Sequence, residues 1–91
     1  MDVDQLIAFE RIVREGSFSR AAWELHIAQP TISARIQALE HELGGPLFVR
    51  NSRRVSLTER GASFLPYARR ALAALTEGSE VARCAHSPAA S

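Results

Sequence analysis

Ala21-Ala22-Trp23-Glu24-Leu25-His26-Ile27-Ala28-Gln29-Pro30-Thr31-Ile32-Ser33-Ala34-Arg35-Ile36-Gln37-Ala38-Leu39-Glu40 reads as a short helix, a tight turn and a second, longer helix. Ala21, Ala22 and Leu25 form the apolar side of the first. Ile32, Ile36, Leu39 and Leu43 recur at i, i+4, i+7 and i+11, one stripe of the second. Pro30 suits the first helical position, where a missing N–H costs nothing. It also disfavours helical backbone at Gln29, which is expected to splay away from the helix start. His26-Ile27-Ala28 is then a turn of the length that joins the helices of a helix-turn-helix. The small Ala21 and Ala22 allow a close crossing. A helical hairpin inside any all-α protein has the same pattern, so the residues off the stripe have to discriminate.

Those residues are Pro30, Ala34, Gln37 and His41, with Ser33 on the flank. No acid occurs between Gln29 and Ala38; Glu40 and Glu42 come only in the last turn and a half. A helix that reads a DNA groove uses its N-terminal half, where its dipole also favours phosphate. A generic solvated helix more often mixes both signs there.

The 91 residues make one small domain, and 46% apolar content is enough for a core. The net charge of +1 argues for no partner by itself, but its distribution is uneven. Between Leu47 and Arg60, Arg50, Arg53, Arg54 and Arg60 face only Glu59, so the positive field is local. Every basic side chain is Arg, which suits bidentate phosphate or guanine contacts. Coding bias in an Ala/Arg-rich genome gives the same composition. Cys84 is the single cysteine, which excludes an internal disulfide and points to a reducing compartment. The first residues lack the pattern of a signal peptide, and no window approaches a membrane span.

Asp2 with Gln5 has the spacing of a capping box, opening a first helix over residues 3–15 that Gly16 ends. Leu6, Phe9 and Val13 mark its buried face. Ile7, Ala8 and Ile12 lie off that stripe and suggest a second partner helix, either later in this chain or in another subunit. Ser17 (or Ser19) caps the second helix, and Phe18 joins its core side. Trp23 lies off that side; a lid over the core edge is favoured over a DNA or partner contact. The third helix spans residues 30–43 and stops at Gly44. Leu47–Arg50 and Val55–Leu57 are then two short β-prone runs around a four-residue turn, Asn51-Ser52-Arg53-Arg54. A hairpin in this place is a wing. Its Arg50, Arg53 and Arg54 favour phosphate or minor-groove contact over a merely solvated surface.

Thr58 caps a long fourth helix. Its Leu65, Ala68, Leu72, Leu75, Ser79 and Ala82 are spaced 3, 4, 3, 4, 3, an a/d seam for pairing with a second helix. Phe64 and Ala71 beside the seam would anchor the helix to the wing-side core. Pro66 predicts a modest kink within this helix. The expected organisation is mainly α: a winged helix-turn-helix of three helices and a two-stranded wing over residues 1–58, a linker and dimerisation helix over 59–84, and a disordered tail or linker stub over 85–91.

With these elements in order, the sequence resembles the N-terminal domain of LysR-type transcriptional regulators. Leu6, Phe9, Gly16-Ser17-Phe18, Ala21-Ala22, Leu25, Gln29-Pro30, Ser33, Ile36, Leu39-Glu40, Leu43-Gly44, Leu47-Phe48, Arg50, Arg53, Leu57-Thr58 and Gly61 carry the match, from residue 1 to about 80 without gaps. The resemblance implies a dimer made by antiparallel linker helices, pairing of dimers into tetramers, and binding to an interrupted inverted repeat in double-stranded DNA. It implies a cytoplasmic, nucleoid-associated place in a bacterium. It also implies a small-molecule effector bound by a larger C-terminal domain that these residues do not contain, and no cofactor here. The chain is then a DNA-binding piece of a regulator or a naturally short relative.

Carried over residue by residue, Gln29, Pro30, Ser33 and Ala34 fall to the major groove, Arg53 to the minor groove, and Arg50 and Ser17 to phosphates. Thr31 and Gln37 on the same helix, and Arg54 at the wing tip as a phosphate ligand, join the DNA-contact set by their place in this sequence. Arg35 is divided between a phosphate contact and an intramolecular pair. Leu65, Ala68, Leu72, Leu75 and Ser79 fall to the dimer seam. Two residues depart from the family pattern. Ala28 replaces a common serine and loses a hydroxyl cap. Ala34 offers a methyl that touches thymine but cannot donate to guanine.

Two other classes are disfavoured. His26, His41, His86 and Cys84 have no metal-ligand spacing, and no Gly-rich phosphate loop is present, so no enzyme is expected. A winged-helix module that binds only protein would explain the seam and the second face of the first helix. It would leave the acid-free helix face and the arginine wing without a role.

Overall fold

The computed structural model describes residues 1–51 and 54–85, at 51 and 54 the backbone alone. Helix α1 spans Val3–Glu15 and opens with the capping box: Gln5 N–H donates to Asp2 Oδ1 at 2.8 Å, and Asp2 N–H donates to Gln5 Oε1 at 3.1 Å. Gly16, at φ 69°, takes the left-handed turn that ends it, a conformation cheap only without a Cβ. Helix α2 covers Phe18–Glu24 with Ser17 as its cap, the Oγ accepting from Arg20 N–H at 3.1 Å.

Helix α3 spans Gln29–Leu43, and this corrects the reading of its start. Ala28 is the extended residue (φ −69°, ψ 148°), Gln29 is the first helical one and Pro30 the second. Both positions belong to the first turn, where no intrahelical N–H bond is lost, so proline is tolerated at either. The turn between α2 and α3 places His26 at φ 60°, the one non-glycine residue with positive φ among those described.

The three helices close around Leu6, Ala8, Phe9, Ile12, Ala21, Ala22, Ile32, Ile36 and Leu39, all buried. Ala8 and Ile12, on the second face of α1, are fully buried: of the two expected partners the one later in this chain covers them, since α1 is wedged between α2, α3 and a later helix and needs a stripe wider than one row. Only Ile7 of that trio stays half exposed.

The wing is shorter in its turn than expected. Strands β1 (Phe48–Asn51) and β2 (Arg54–Leu57) pair antiparallel with Asn51 opposite Arg54, so two residues, 52 and 53, join them instead of four. Leu47 is no strand residue but a buried core residue, its carbonyl accepting from Thr58 N–H at 3.0 Å. Phe48 stacks against Phe9 and Phe18 at 5.4 and 5.5 Å between ring centroids, joining the wing to the helical core.

Helix α4 spans Glu59–Ala85 and runs through Pro66. Thr58 starts it, with its Oγ1 accepting from Gly61 N–H at 3.0 Å and donating to Pro46 O at 2.7 Å. Phe64 meets Phe9 at 5.5 Å, as the anchoring role required. The seam, however, divides. Ala68 is buried in this chain's own core, and Leu65 and Leu72 pack against it half-buried, because α4 crosses α1 there. From Ala73 onward every residue of the helix is exposed, Leu75 and Ser79 included. Ser52, Arg53, the Arg54 side chain and the expected tail from residue 86 lie outside the described residues; Ala85 is still helical.

Candidate nucleic-acid interface

The Ile32, Ile36 and Leu39 stripe holds α3 against α1 and α2 and so fixes which face turns outward. Gln29, Pro30, Thr31, Ala34 and Gln37 are all exposed on that outward side, and Ser33 is half-buried on its flank. No side chain caps the helix start, since Ala28 has none to offer. Pro30 has no N–H, and the Thr31 and Ile32 N–H groups donate to Ala28 O at 3.0 and 3.3 Å, so at this helix start the Gln29 N–H and the positive end of the dipole are what face an anionic ligand. Arg35 is half-buried and makes no ion pair among the described residues.

Ser17 is committed as the α2 cap, with Ser19 Oγ 3.1 Å from its Oγ. Its side chain is half-buried, and the Ser17–Ser19 hydroxyl pair can be donated in either direction. Arg50 is not a free basic arm. Its Nη2 lies 3.5 Å from Glu40 Oε1, and its guanidinium carbon lies 4.8 Å from the centroid of the Phe18 ring. Glu40 meanwhile accepts from Leu47 N–H through Oε2 at 2.8 Å. One carboxylate in the last turn of α3 thus holds both the wing's root and its first strand. The residue spacing gave no sign of this, because the partners lie 7 and 10 positions away across a turn of unregistered geometry.

A groove of about 540 Å³ lies between α1 and α4, lined by Val3, Ile7, Leu72, Leu75 and Ser79 with Glu10, Arg11, Arg14 and Arg69 along one side. Glu10 receives both carboxylate contacts from Arg14 Nη2 at 3.0 Å, with Arg69 Nε at 4.0 Å. Arg11 pairs with Glu24 at 3.1 Å, tying α1 to α2. Glu10–Arg14 is an i,i+4 pair legible from helical spacing, whereas the Arg11–Glu24 and Glu10–Arg69 bridges join elements that only the fold brings together. Trp23 is 78% exposed and covers no core edge. Small Ala21 and Ala22 already seal that side of α2 against α3, which leaves no gap for an indole to close. Among the described residues no group of three or more His, Cys, Asp or Glu is placed to hold a metal ion, and no helix is long and apolar enough to cross a membrane.

Comparison with known proteins agrees with this geometry. The family model described as "Bacterial regulatory helix-turn-helix protein, lysR family" matches residues 3–62. A probable RuBisCO transcriptional regulator of Cyanidioschyzon merolae is 51% identical over 75 residues, 82% of this chain and 25% of the relative. A probable cat1 operon transcriptional activator of Acinetobacter lwoffii is 50% identical over 68 residues, 75% of this chain and 22% of the relative. The chain thus spans about a quarter of the length of these relatives. Among solved structures, the BenM_DBD/catB site 1 DNA complex superposes with a TM-score of 0.92 at 39% identity, over 96% of this chain and 97% of that one. The CbnR_DBD-DNA complex superposes with a TM-score of 0.86 at 38% identity, over 93% and 98%.

Proposed function

The chain belongs to the lysR family of bacterial regulatory helix-turn-helix proteins, and from that premise we propose that it binds double-stranded DNA sequence-specifically as the DNA-reading part of a transcriptional regulator. The observation that carries the reading is the exposed, acid-free N-terminal half of α3, presented by a buried stripe on its other side. Two solved relatives of nearly the same length are DNA complexes, which supports the same assignment.

In this reading α3 enters the major groove from its N-terminus. Gln29 sits in the first turn with an amide that matches the N6 and N7 edge of adenine. Ser33 lies one turn on, and Ala34 contributes only a methyl. Thr31 and Gln37 flank them, while Ser17 serves the phosphates. Arg53 and Arg54 carry the wing's charge toward the minor groove and backbone. Arg35 takes a phosphate; among the described residues no acid pairs with it.

The protein acts as a dimer. The exposed half of α4 and the α1–α4 groove beside it form one continuous surface, and a second copy's α4 running antiparallel would cover both. Leu75 and Ser79 then contact the partner, with Leu72 and Ile7 at the groove's edge. Ala68 and Ile12 do not, being spent on this chain's own core. Two half-sites about 34 Å apart, or a multiple, follow from the two-fold symmetry. An effector-binding C-terminal domain and pairing of dimers belong to a longer protein working in the cytoplasm.

The test is titration of wild type and Gln29→Ala against a duplex selected from a random pool and against its scrambled counterpart, at fixed salt. The substitution is expected to cost roughly 1–3 kcal/mol per half-site on the selected duplex and much less on the scrambled one. Equal loss on both would reduce Gln29 to a backbone contact.

A further inference from the structure

We propose that Glu40 is a specificity-determining positioning residue: it holds Arg50 against the wing root and keeps that arginine out of the pool of indiscriminate phosphate ligands. The inference rests on the DNA-binding reading above. Its basis is a three-way junction. Glu40 Oε2 accepts from Leu47 N–H at 2.8 Å, Glu40 Oε1 lies 3.5 Å from Arg50 Nη2, and Arg50 lies over the Phe18 ring at 4.8 Å. Phe18 in turn packs edge-on against Phe48, two residues before Arg50 and on the same side of β1. The junction therefore joins α2, α3 and the wing at one point.

The two side chains differ in exposure. Glu40 is 15% accessible and Arg50 is 45% accessible. A buried carboxylate with one fixed backbone donor is a stationary anchor, and the half-exposed guanidinium is the part that can leave. Phosphate and Glu40 compete for the same guanidinium charge: Glu40 meets it through one ion-pair contact at 3.5 Å, and a phosphate offers an oxyanion that the guanidinium can fork onto. On a random sequence an unrestrained Arg50 would add a phosphate contact to those of Arg53 and Arg54 wherever the protein landed. With Glu40 in place, the wing is held at a set angle to α3, and the free energy of binding depends more on what α3 meets in the groove.

Glu40→Gln separates the two jobs of the carboxylate. The amide oxygen still accepts from Leu47 N–H, but the charge that retains Arg50 is gone. One additional phosphate contact per protomer should steepen the salt dependence on scrambled duplex by about 0.9 for each protomer bound, equal to roughly eightfold tighter binding per protomer at 0.1 M salt. Discrimination between selected and scrambled duplex should fall by a similar factor. In Glu40→Gln/Arg50→Met, the steepened slope should vanish. A purely structural loss at Glu40 would weaken binding to both duplexes and would not steepen the slope.

Arg50→Met alone gives a second route if Glu40→Gln folds poorly, as checked by circular dichroism. It should lower discrimination through a loosened wing, without the gain on scrambled DNA. A salt slope on scrambled DNA one unit shallower in Arg50→Met would overturn the proposal, because Arg50 would already be a phosphate ligand. Unchanged slope and discrimination in Glu40→Gln would overturn it as well, as would a steepened slope that persists without Arg50. Failure of the wild type to distinguish the two duplexes would instead count against the DNA-reading function itself.

Discussion

Gly61→Ala should unfold this domain more readily than the loss of any single surface contact. Gly61 lies in the first turn of α4, where the helix leaves Thr58 and crosses the wing root. A methyl added there would fall inside the van der Waals sphere of the Leu47 carbonyl oxygen, 2.9 Å from Leu57 Cδ2 and 3.1 Å from the Leu47 carbonyl carbon. The obstructing atom is backbone, and it is pinned by accepting from Thr58 N–H at 3.0 Å. Relief requires α4 to lift from Leu47, which strains the core by about 3 kcal/mol and weakens that hydrogen bond by about 1 kcal/mol. Alanine's better helix propensity returns about 1 kcal/mol. The net is a loss of about 3 kcal/mol, on the order of 10–20 °C in melting temperature for a domain of this size. Urea denaturation followed by circular dichroism at one protein concentration measures it. Gly78→Ala is the matched control, since nothing lies within 4 Å of its added Cβ. The same chemical change should there increase helical ellipticity, because helix preference improves by about 1 kcal/mol with no clash. A Gly61→Ala variant within about 0.5 kcal/mol of wild type would refute the close-approach argument.

His26 sits at φ 60°, a region that costs a side-chain-bearing residue about 1–2 kcal/mol. His26→Gly should therefore stabilise the domain by roughly 0.5–1 kcal/mol after the entropy cost in the unfolded chain, and His26→Val should destabilise it, both read from urea midpoints. At the proposed dimer surface, Leu75→Glu is cleaner than a change at Leu72, because Leu75 is 49% exposed in the single chain and Leu72 also packs on the core. An unpaired carboxylate buried between two α4 helices costs several kcal/mol, so the dimer constant measured by sedimentation should weaken by roughly 100-fold or more. An unchanged sedimentation profile would move the interface elsewhere.

Local signals in the sequence determined the helices, their ends except the start of α3, and their outward face. Asp2 with Gln5, Gly16, Ser17, Gly44 and Thr58 act on groups within a few residues of themselves, so their spacing alone specifies caps and stops. The outward set Pro30, Ala34, Gln37 and His41 follows from the Ile32, Ile36 and Leu39 stripe, because a 3.6-residue period leaves no other face to bury. Tertiary structure decided what periodicity leaves degenerate. An a/d seam looks the same whether its partner is a second copy or α1 of the same chain; the crossing of α4 over α1 assigned Ala68 to the core and left Leu75 and Ser79 outside. Ala8 and Ile12 were likewise undecided until three elements closed around α1. Arg50 reads as a basic wing residue in any linear view. Its retention by Glu40 depends on how the turn from Gly44 to Leu47 brings strand and helix together, and no residue spacing encodes that distance.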